Sequence, residues 1–179
     1  MIELLTQTLP YKVLFSHFLL IFLVAAVLSR NGWGRGVMNF LGRYAVAFAF
    51  LVSIASIAGS LFYSEIVGYE PCTLCWWLRV LLYPQAVIFG VALFKKYDNA
   101  FVYALPLTLL ALLVSAYFSY TSLGGSSIIA CTSAEGACSK VFVKEFGYIT
   151  IPMMGLTVVL YLLLLTWVNK LYKNENRNS

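Results

Sequence analysis

Charge is what this sequence has least of. Only 11% of its 179 residues are Asp, Glu, Lys or Arg, against 61% hydrophobic, and the mean hydropathy is +0.86. A soluble globule of that size needs more polar surface than this chain can supply, so an integral membrane protein is expected. There is no internal repeat and no polar stretch long enough for a separate soluble domain. The net charge of +5 does not point to nucleic acid. Its basic residues stand at the ends of apolar runs, where membrane orientation and lipid headgroups account for them. Histidine occurs once, as His17. Without a matching partner in sequence, it reads as a hydrogen-bonded bundle residue rather than a ligand. No cysteine is left over either: the four fall into two spaced pairs, Cys72/Cys75 and Cys131/Cys138. An even count in short polar loops beside membrane segments suggests disulfides on an oxidising side.

Apolar runs make up most of what is present. Residues 13–28, 44–62, 76–94, 100–120 and 151–168 are candidate membrane spans. The first is slightly short for a hydrocarbon layer of roughly 30 Å, a shortfall that tilt or local thinning accommodates. A cleavable leader competes for that run. Glu3 and a lone Lys12 precede it, however, and no small-x-small site comes before Arg30-Asn31-Gly32, so a retained span is expected.

Between the first two spans, Asn31-Gly32-Trp33-Gly34-Arg35-Gly36 predicts a flexible connector over 30–43. In the second span, Ser53, Ser56, Ala58, Gly59 and Ser60 offer small surfaces for close helix packing. A short loop over 63–71 carries Glu65 and Glu70 and leads into the third span; Glu65 reads first as a solvated charge, with proton handling as its alternative. Pro84 predicts a bend there, as Pro106 does in the fourth. Residues 95–99 allow only a tight connection, which makes the third and fourth spans antiparallel neighbours. From Thr121 the composition turns to Gly, Ser and Ala around the second cysteine pair. After it, Val141, Phe142, Phe146 and Ile149 alternate with Lys140, Lys144 and Glu145, as in a short interfacial segment. The chain divides into an N-terminal membrane helix with a cytoplasmic connector (1–43), a four-helix redox unit (44–168) and a polar, disordered cytoplasmic tail (169–179).

Orientation follows from Lys and Arg. With both cysteine loops outside, Arg30, Arg35, Arg43, Lys95, Lys96, Lys170, Lys173 and Arg177 lie inside, against Lys12, Lys140 and Lys144 outside. That bias puts both pairs on one extracytoplasmic side.

The organising stretch is Glu70-Pro71-Cys72-Thr73-Leu74-Cys75-Trp76-Trp77-Leu78-Arg79. As the first turns of a helix opened by Pro71, it sets Cys72, Cys75 and Arg79 on one face. A helix N-terminus and a nearby Arg both favour thiolate, which suits disulfide chemistry. A closed four-thiolate zinc site is the structural alternative. The loose C-x6-C spacing, an oxidising compartment and the idle Arg79 speak against it. Arg79 near a membrane boundary also has a snorkelling role open to it. Trp76 and Trp77 read first as interfacial belt residues, and either could border an aromatic head group.

The run Tyr69 to Arg79, followed by Tyr83-Pro84 and by a second cysteine pair in the next outside loop, resembles the bacterial membrane disulfide-bond formation family DsbB, especially its short BdbC-type members. The resemblance covers about residues 44–168, and the span at 13–28 has no counterpart in the four-helix pattern. It implies an all-α integral membrane four-helix bundle, here with one additional N-terminal transmembrane helix, in the bacterial plasma (inner) membrane. It further implies a quinone-dependent protein disulfide oxidoreductase, with no metal. A DsbA-like thioredoxin-fold partner would be reoxidised at Cys131–Cys138, with Cys131 joined to the partner and Cys138 exchanging with Cys72. Cys75 would pass electrons to ubiquinone or menaquinone, with Arg79 and Trp76 beside it. The loop composition agrees, since a Gly/Ser/Ala loop is open to a soluble protein while Cys75 lies at the membrane edge. A membrane scaffold with structural disulfides is the reading from another class.

Overall fold

The computed structural model describes residues 2–29, 32–97, 99–125 and 150–178. Over these the chain forms six α-helices: α1 (Ile2–Ser29), α2 (Gly32–Arg43), α3 (Ala45–Leu61), α4 (Thr73–Lys95), α5 (Ala100–Ser122) and α6 (Ile151–Asn178). Five stretches are long and apolar enough to cross a membrane: Tyr11–Ser29, Ala45–Ile66, Thr73–Lys95, Ala100–Ser122 and Ile151–Arg177. The expected all-α membrane bundle with five spans is therefore what the chain forms. α3, α4, α5 and α6 pack in a ring, each against its neighbours in that order and α6 against α3. α1 and α2 lie against each other and on α6.

Small residues let these helices approach closely. On α3 the buried stripe is Ala45, Ala49 and Ser53, spaced one turn apart. On α5 it is Ala104, Thr108, Ala111 and Ser115. Without a hydrophobic driving force between helices in lipid, such contacts and interhelical hydrogen bonds carry the packing. Thr108 Oγ1 lies 2.9 Å from Gln85 Oε1 and joins α5 to α4 inside the bundle. Of the small residues noted in the second span, Ser53 is buried, Ala58 is exposed, and Ser56, Gly59 and Ser60 face a cavity.

Four expectations are corrected. Residues 32–43 form a helix rather than a flexible connector, and its glycines serve close packing rather than freedom. A Cβ on Gly34 would collide with the Ala26 carbonyl and Ser29, and one on Gly42 with the Tyr172 ring. Met38 and Leu41 share that buried face. The tail is helical through Asn178 rather than disordered, continuing the apolar face of α6 to Tyr172. The 63–71 loop begins as a π-turn, Phe62–Ile66, that prolongs α3. Lastly, α4 is opened by Cys72 as its N-cap, in extended conformation, with Pro71 one residue outside. Pro84 and Pro106 lie inside continuous helices.

Thr150 closes the far side of the ring. Its hydroxyl accepts from the Met153 amide at 3.4 Å at the start of α6, and lies 3.3 Å from the Ser122 hydroxyl at the end of α5. Thr150 and Cys72 line the same cavity. The end of α5 and the start of α6 thus meet at the end of the bundle that carries Cys72.

Candidate functional site

The site begins where α3 departs from regular helix. In the π-turn, the Val67 amide reaches back to the Phe62 carbonyl at 3.1 Å, and the Tyr69 amide to the Tyr63 carbonyl at 3.0 Å. Gly68, at φ +81°, then reverses the chain, a conformation that glycine adopts without the Cβ penalty. The Tyr63 and Tyr69 rings stack 6.1 Å apart across this reversal. Glu70 and Pro71 lead directly into Cys72 at the α4 N-terminus.

Cys72 and Cys75 are both free thiols. Their sulfurs are 3.0 Å apart, one helical turn from N-cap to third helical position. Cys72 is 4% exposed and Cys75 half-buried. The two thiols share one hydrogen bond, and this bond to Cys75 is the main cause pulling the Cys72 thiol down to about 6. Burial pushes Cys72 the other way, and the backbone amides of Cys72, Leu74 and Cys75 at the helix start add to the lowering. The pair can therefore hold one negative charge, on Cys72, at neutral pH.

Arg79 occupies the next turn but is held by α3. Its Nε donates to Ser60 Oγ at 2.9 Å and one Nη donates to the Ser60 carbonyl at 3.2 Å. The guanidinium also lies 5.2 Å from the centre of the Trp76 ring. Trp76 is 55% exposed and Trp77 points outward as well, neither belonging to the cavity wall.

Cys72, Cys75 and Arg79 do share one space, a cavity of about 610 Å³ between α1, α3, α4 and α6. Its dithiol end holds Ser60, Tyr63 and Glu70; its body is walled by apolar residues such as Leu23, Leu41, Phe48, Val52 and Leu165. The lining positions Ser60 and Phe48 of α3 stand about 18 Å apart along the helix axis. The cavity is long, with its thiols and charged groups at one end. Its volume falls in the range usual for small-molecule sites, which are mostly apolar with few placed polar groups.

Sequence reasoning placed Cys72, Cys75 and Arg79 together and missed what surrounds them. Ser60 looked like a packing residue, and α1 had no assigned part. Nothing in the sequence marks Ser60 as the anchor of Arg79, since the contact joins residues of different helices. Cys131, Cys138, Lys140 and Lys144, and the expected interfacial segment, lie outside the described residues. So does half of the four-thiolate alternative. Among the described residues, no three His, Cys, Asp or Glu side chains converge as metal ligands.

Residues 42–169 match the family described as disulfide bond formation protein DsbB. A probable disulfide formation protein C 2 of Bacillus anthracis is 28% identical over 140 residues, covering 78% of this chain and 100% of that protein. The SPbeta prophage-derived disulfide bond formation protein B of Bacillus subtilis (strain 168) is 36% identical over 116 residues, covering 63% and 78% respectively. A probable disulfide formation protein of Coxiella burnetii (strain RSA 493 / Nine Mile phase I) is 33% identical over 126 residues, covering 69% and 86%. No solved structure matches the chain significantly.

Proposed function

The chain belongs to the DsbB family, and from that premise we propose that it carries electrons from an extracytoplasmic dithiol protein to a membrane quinone. The coarse activity is that of a multi-pass membrane oxidoreductase of disulfide-bond formation. Within it, a DsbA-like thioredoxin-fold partner is the proposed substrate, met by Cys131 and Cys138. The Cys72–Cys75 disulfide then accepts the electrons by exchange with Cys138. The end of α5 and the start of α6, between which Cys131 and Cys138 fall in sequence, lie at the Cys72 end of the bundle, which supports that order because exchange requires the two pairs to meet. The excess of Lys and Arg in the opposite connections supports an extracytoplasmic position for both pairs, in a bacterial plasma membrane.

The observation that carries the reading is the reduced pair at 3.0 Å facing a long apolar cavity with Arg79 at the same end. The residues fit a quinone: the half-buried Cys75, the Ser60 hydroxyl and a guanidinium stand where a polar head would lie, and the apolar walls suit a lipid tail. Ubiquinone and menaquinone both meet that description. A quinone supplies a two-electron, two-proton acceptor. The residues do the rest. Arg79, pinned by Ser60, offers N–H donors to a carbonyl oxygen. Cys75 gives up its proton and two electrons toward the cavity, and the Cys72 thiolate, already beside it, closes on the Cys75 sulfur. The sulfur–sulfur bond forms, both thiols are oxidised, and the second proton comes from solvent because Cys72 has lost its own.

The test is non-reducing electrophoresis of acid-trapped cells with a thioredoxin-like partner present. Cys138→Ala should accumulate a mixed disulfide between Cys131 and the partner. Cys75→Ala should leave the outer pair able to react while quinone reduction stops. No adduct in Cys138→Ala, together with full oxidase activity in Cys131→Ala, contradicts the relay. A membrane-impermeant thiol reagent that finds the two pairs on opposite faces contradicts the orientation.

A further inference from the structure

The family match begins at residue 42, so α1 and almost all of α2 stand outside it. Yet α1 is fastened to the four-helix unit at its centre. The Ser16 hydroxyl donates to the Tyr161 hydroxyl at 3.1 Å, and the Tyr161 hydroxyl donates to the Ser16 carbonyl at 2.6 Å. His17 Nε2 lies 2.7 Å from Thr157 Oγ1, whose own proton goes to the Met153 carbonyl at 2.8 Å. Thr157 therefore accepts, and His17 carries its proton on Nε2. These bonds close one face of α1 onto α6. The opposite face, with Phe15, Phe18, Ile21 and Phe22, is exposed, as a lipid-facing surface requires.

The fastened face also looks into the cavity of the dithiol. Val13, Ser16, Leu19 and Leu23 belong to its wall, a stretch of about 15 Å along α1. Val13 lies nearest the thiol end and Ser16 at mid-length beside Tyr161; Leu19 and Leu23 lie along the apolar body that Phe48 and Leu165 complete. Without α1, the apolar body between α3 and α6 would lose this wall.

We propose that α1 forms the outer wall of the site for the quinone's isoprenoid tail, and so sets how strongly this oxidoreductase prefers tailed over tailless quinones. The inference rests on the quinone reading above. It commits to a prenyl chain because the cavity is continuous with Cys75 and Arg79, has its charged groups at that end only, and runs lengthwise between helices. A tail laid along it meets leucine, valine and phenylalanine side chains and no charged group beyond the head. A tail that is buried there gains affinity from each methylene withdrawn from water.

Two measurements on the full chain in lipid nanodiscs test it. The first is photo-crosslinking to a benzoquinone with a diazirine at the end of a decyl tail, read by peptide mass spectrometry. Label should fall on peptides of α1 and of α3 or α6. Label confined to α4 and α5, or none above a tail-only competitor, overturns the inference. The second is the KM of a decyl quinone relative to that of a tailless quinone. Leu23→Trp and Leu19→Trp, which fill the cavity from α1, should raise that ratio about tenfold by excluding a few buried methylenes. Phe18→Trp and Ile21→Trp, on the lipid face, should not raise it. An unchanged ratio in both cavity variants overturns the proposed wall even with quinone reduction intact. Failure of the wild type to reduce any quinone would instead overturn the functional reading, so the two failures are distinguishable.

Discussion

Cys72 and Cys75 are chemically alike and placed differently. The hydrogen bond shared with Cys75, helped by the backbone amides at the N-cap, brings the Cys72 thiol down to about 6. The lowered value means that thiolate is present above that pH and is lost as pH falls through it. In the reduced protein, the reaction rate of Cys72 with a small methanethiosulfonate should rise with pH around a midpoint near 6. In Cys75→Ala the chief cause of the lowering is gone, and the midpoint should move up toward that of an ordinary thiol, about 8.5. Equal midpoints would show that the hydrogen bond does not set the charge. Arg79 gives a second test at this scale. Arg79→Ala should raise the KM for quinone about tenfold or more while the protein still inserts, the effect of one lost charge-assisted hydrogen bond. Ser60→Ala removes the hydroxyl half of the guanidinium's anchor on α3 and leaves the bond to the backbone carbonyl, so it should shift KM the same way by less. Wild-type quinone kinetics in Arg79→Ala would leave the residue as a clamp between α3 and α4. The face shared by Cys72, Cys75 and Arg79 was legible in the sequence because i+3 and i+4 spacing is local. The Ser60 anchor was not, because it joins residues that only packing brings together.

Helices were legible to the extent that they announce themselves by long apolar runs. Four of the five spans were found within a few residues, since a long apolar run has few other uses, and the fifth was ended at 168 where the span continues to Arg177. α2 was missed for a physical reason. Its glycines carry the signature of a flexible linker, but two of them exist so that α2 can press against Ala26 and Tyr172. Its buried positions Gly34, Met38 and Leu41 do repeat at helical spacing, a pattern the glycine content hid. The helical tail escaped notice because Tyr172 gains its contact only from the neighbouring helix. Gly34→Val should therefore be destabilising where a linker would tolerate it. Forcing a side chain into the Ala26 contact costs on the order of 1–3 kcal/mol, and the thermal midpoint in detergent should drop accordingly. Gly36→Ala, where a Cβ meets nothing within 4 Å, is the matched control and should be neutral or slightly stabilising. Equal midpoints for the two variants would restore the linker reading of 32–43.

For the molecule as a whole, the division of labour lies along the bundle axis. One end carries Cys72, Cys75 and the facing ends of α5 and α6; the apolar cavity leads from that end into the membrane-spanning body. In the proposed relay a water-soluble dithiol and a lipid-soluble acceptor exchange electrons without meeting, because each reaches a different pair. The fold class and the cysteine chemistry could be read from the chain, since hydropathy and a short motif are properties of sequence. The cavity could not, because its walls come from α1, α3, α4 and α6. The direct test of the relay is stoichiometry in nanodiscs, with reduced thioredoxin-like partner and quinone supplied anaerobically and both followed in the same sample. One quinone should be reduced for each partner disulfide formed; in Cys75→Ala no quinone should be reduced, and partner oxidation should stop at the single equivalent that the outer pair supplies. Partner oxidation that proceeds beyond that equivalent without quinone consumption, or quinone reduction that persists in Cys75→Ala, contradicts the account.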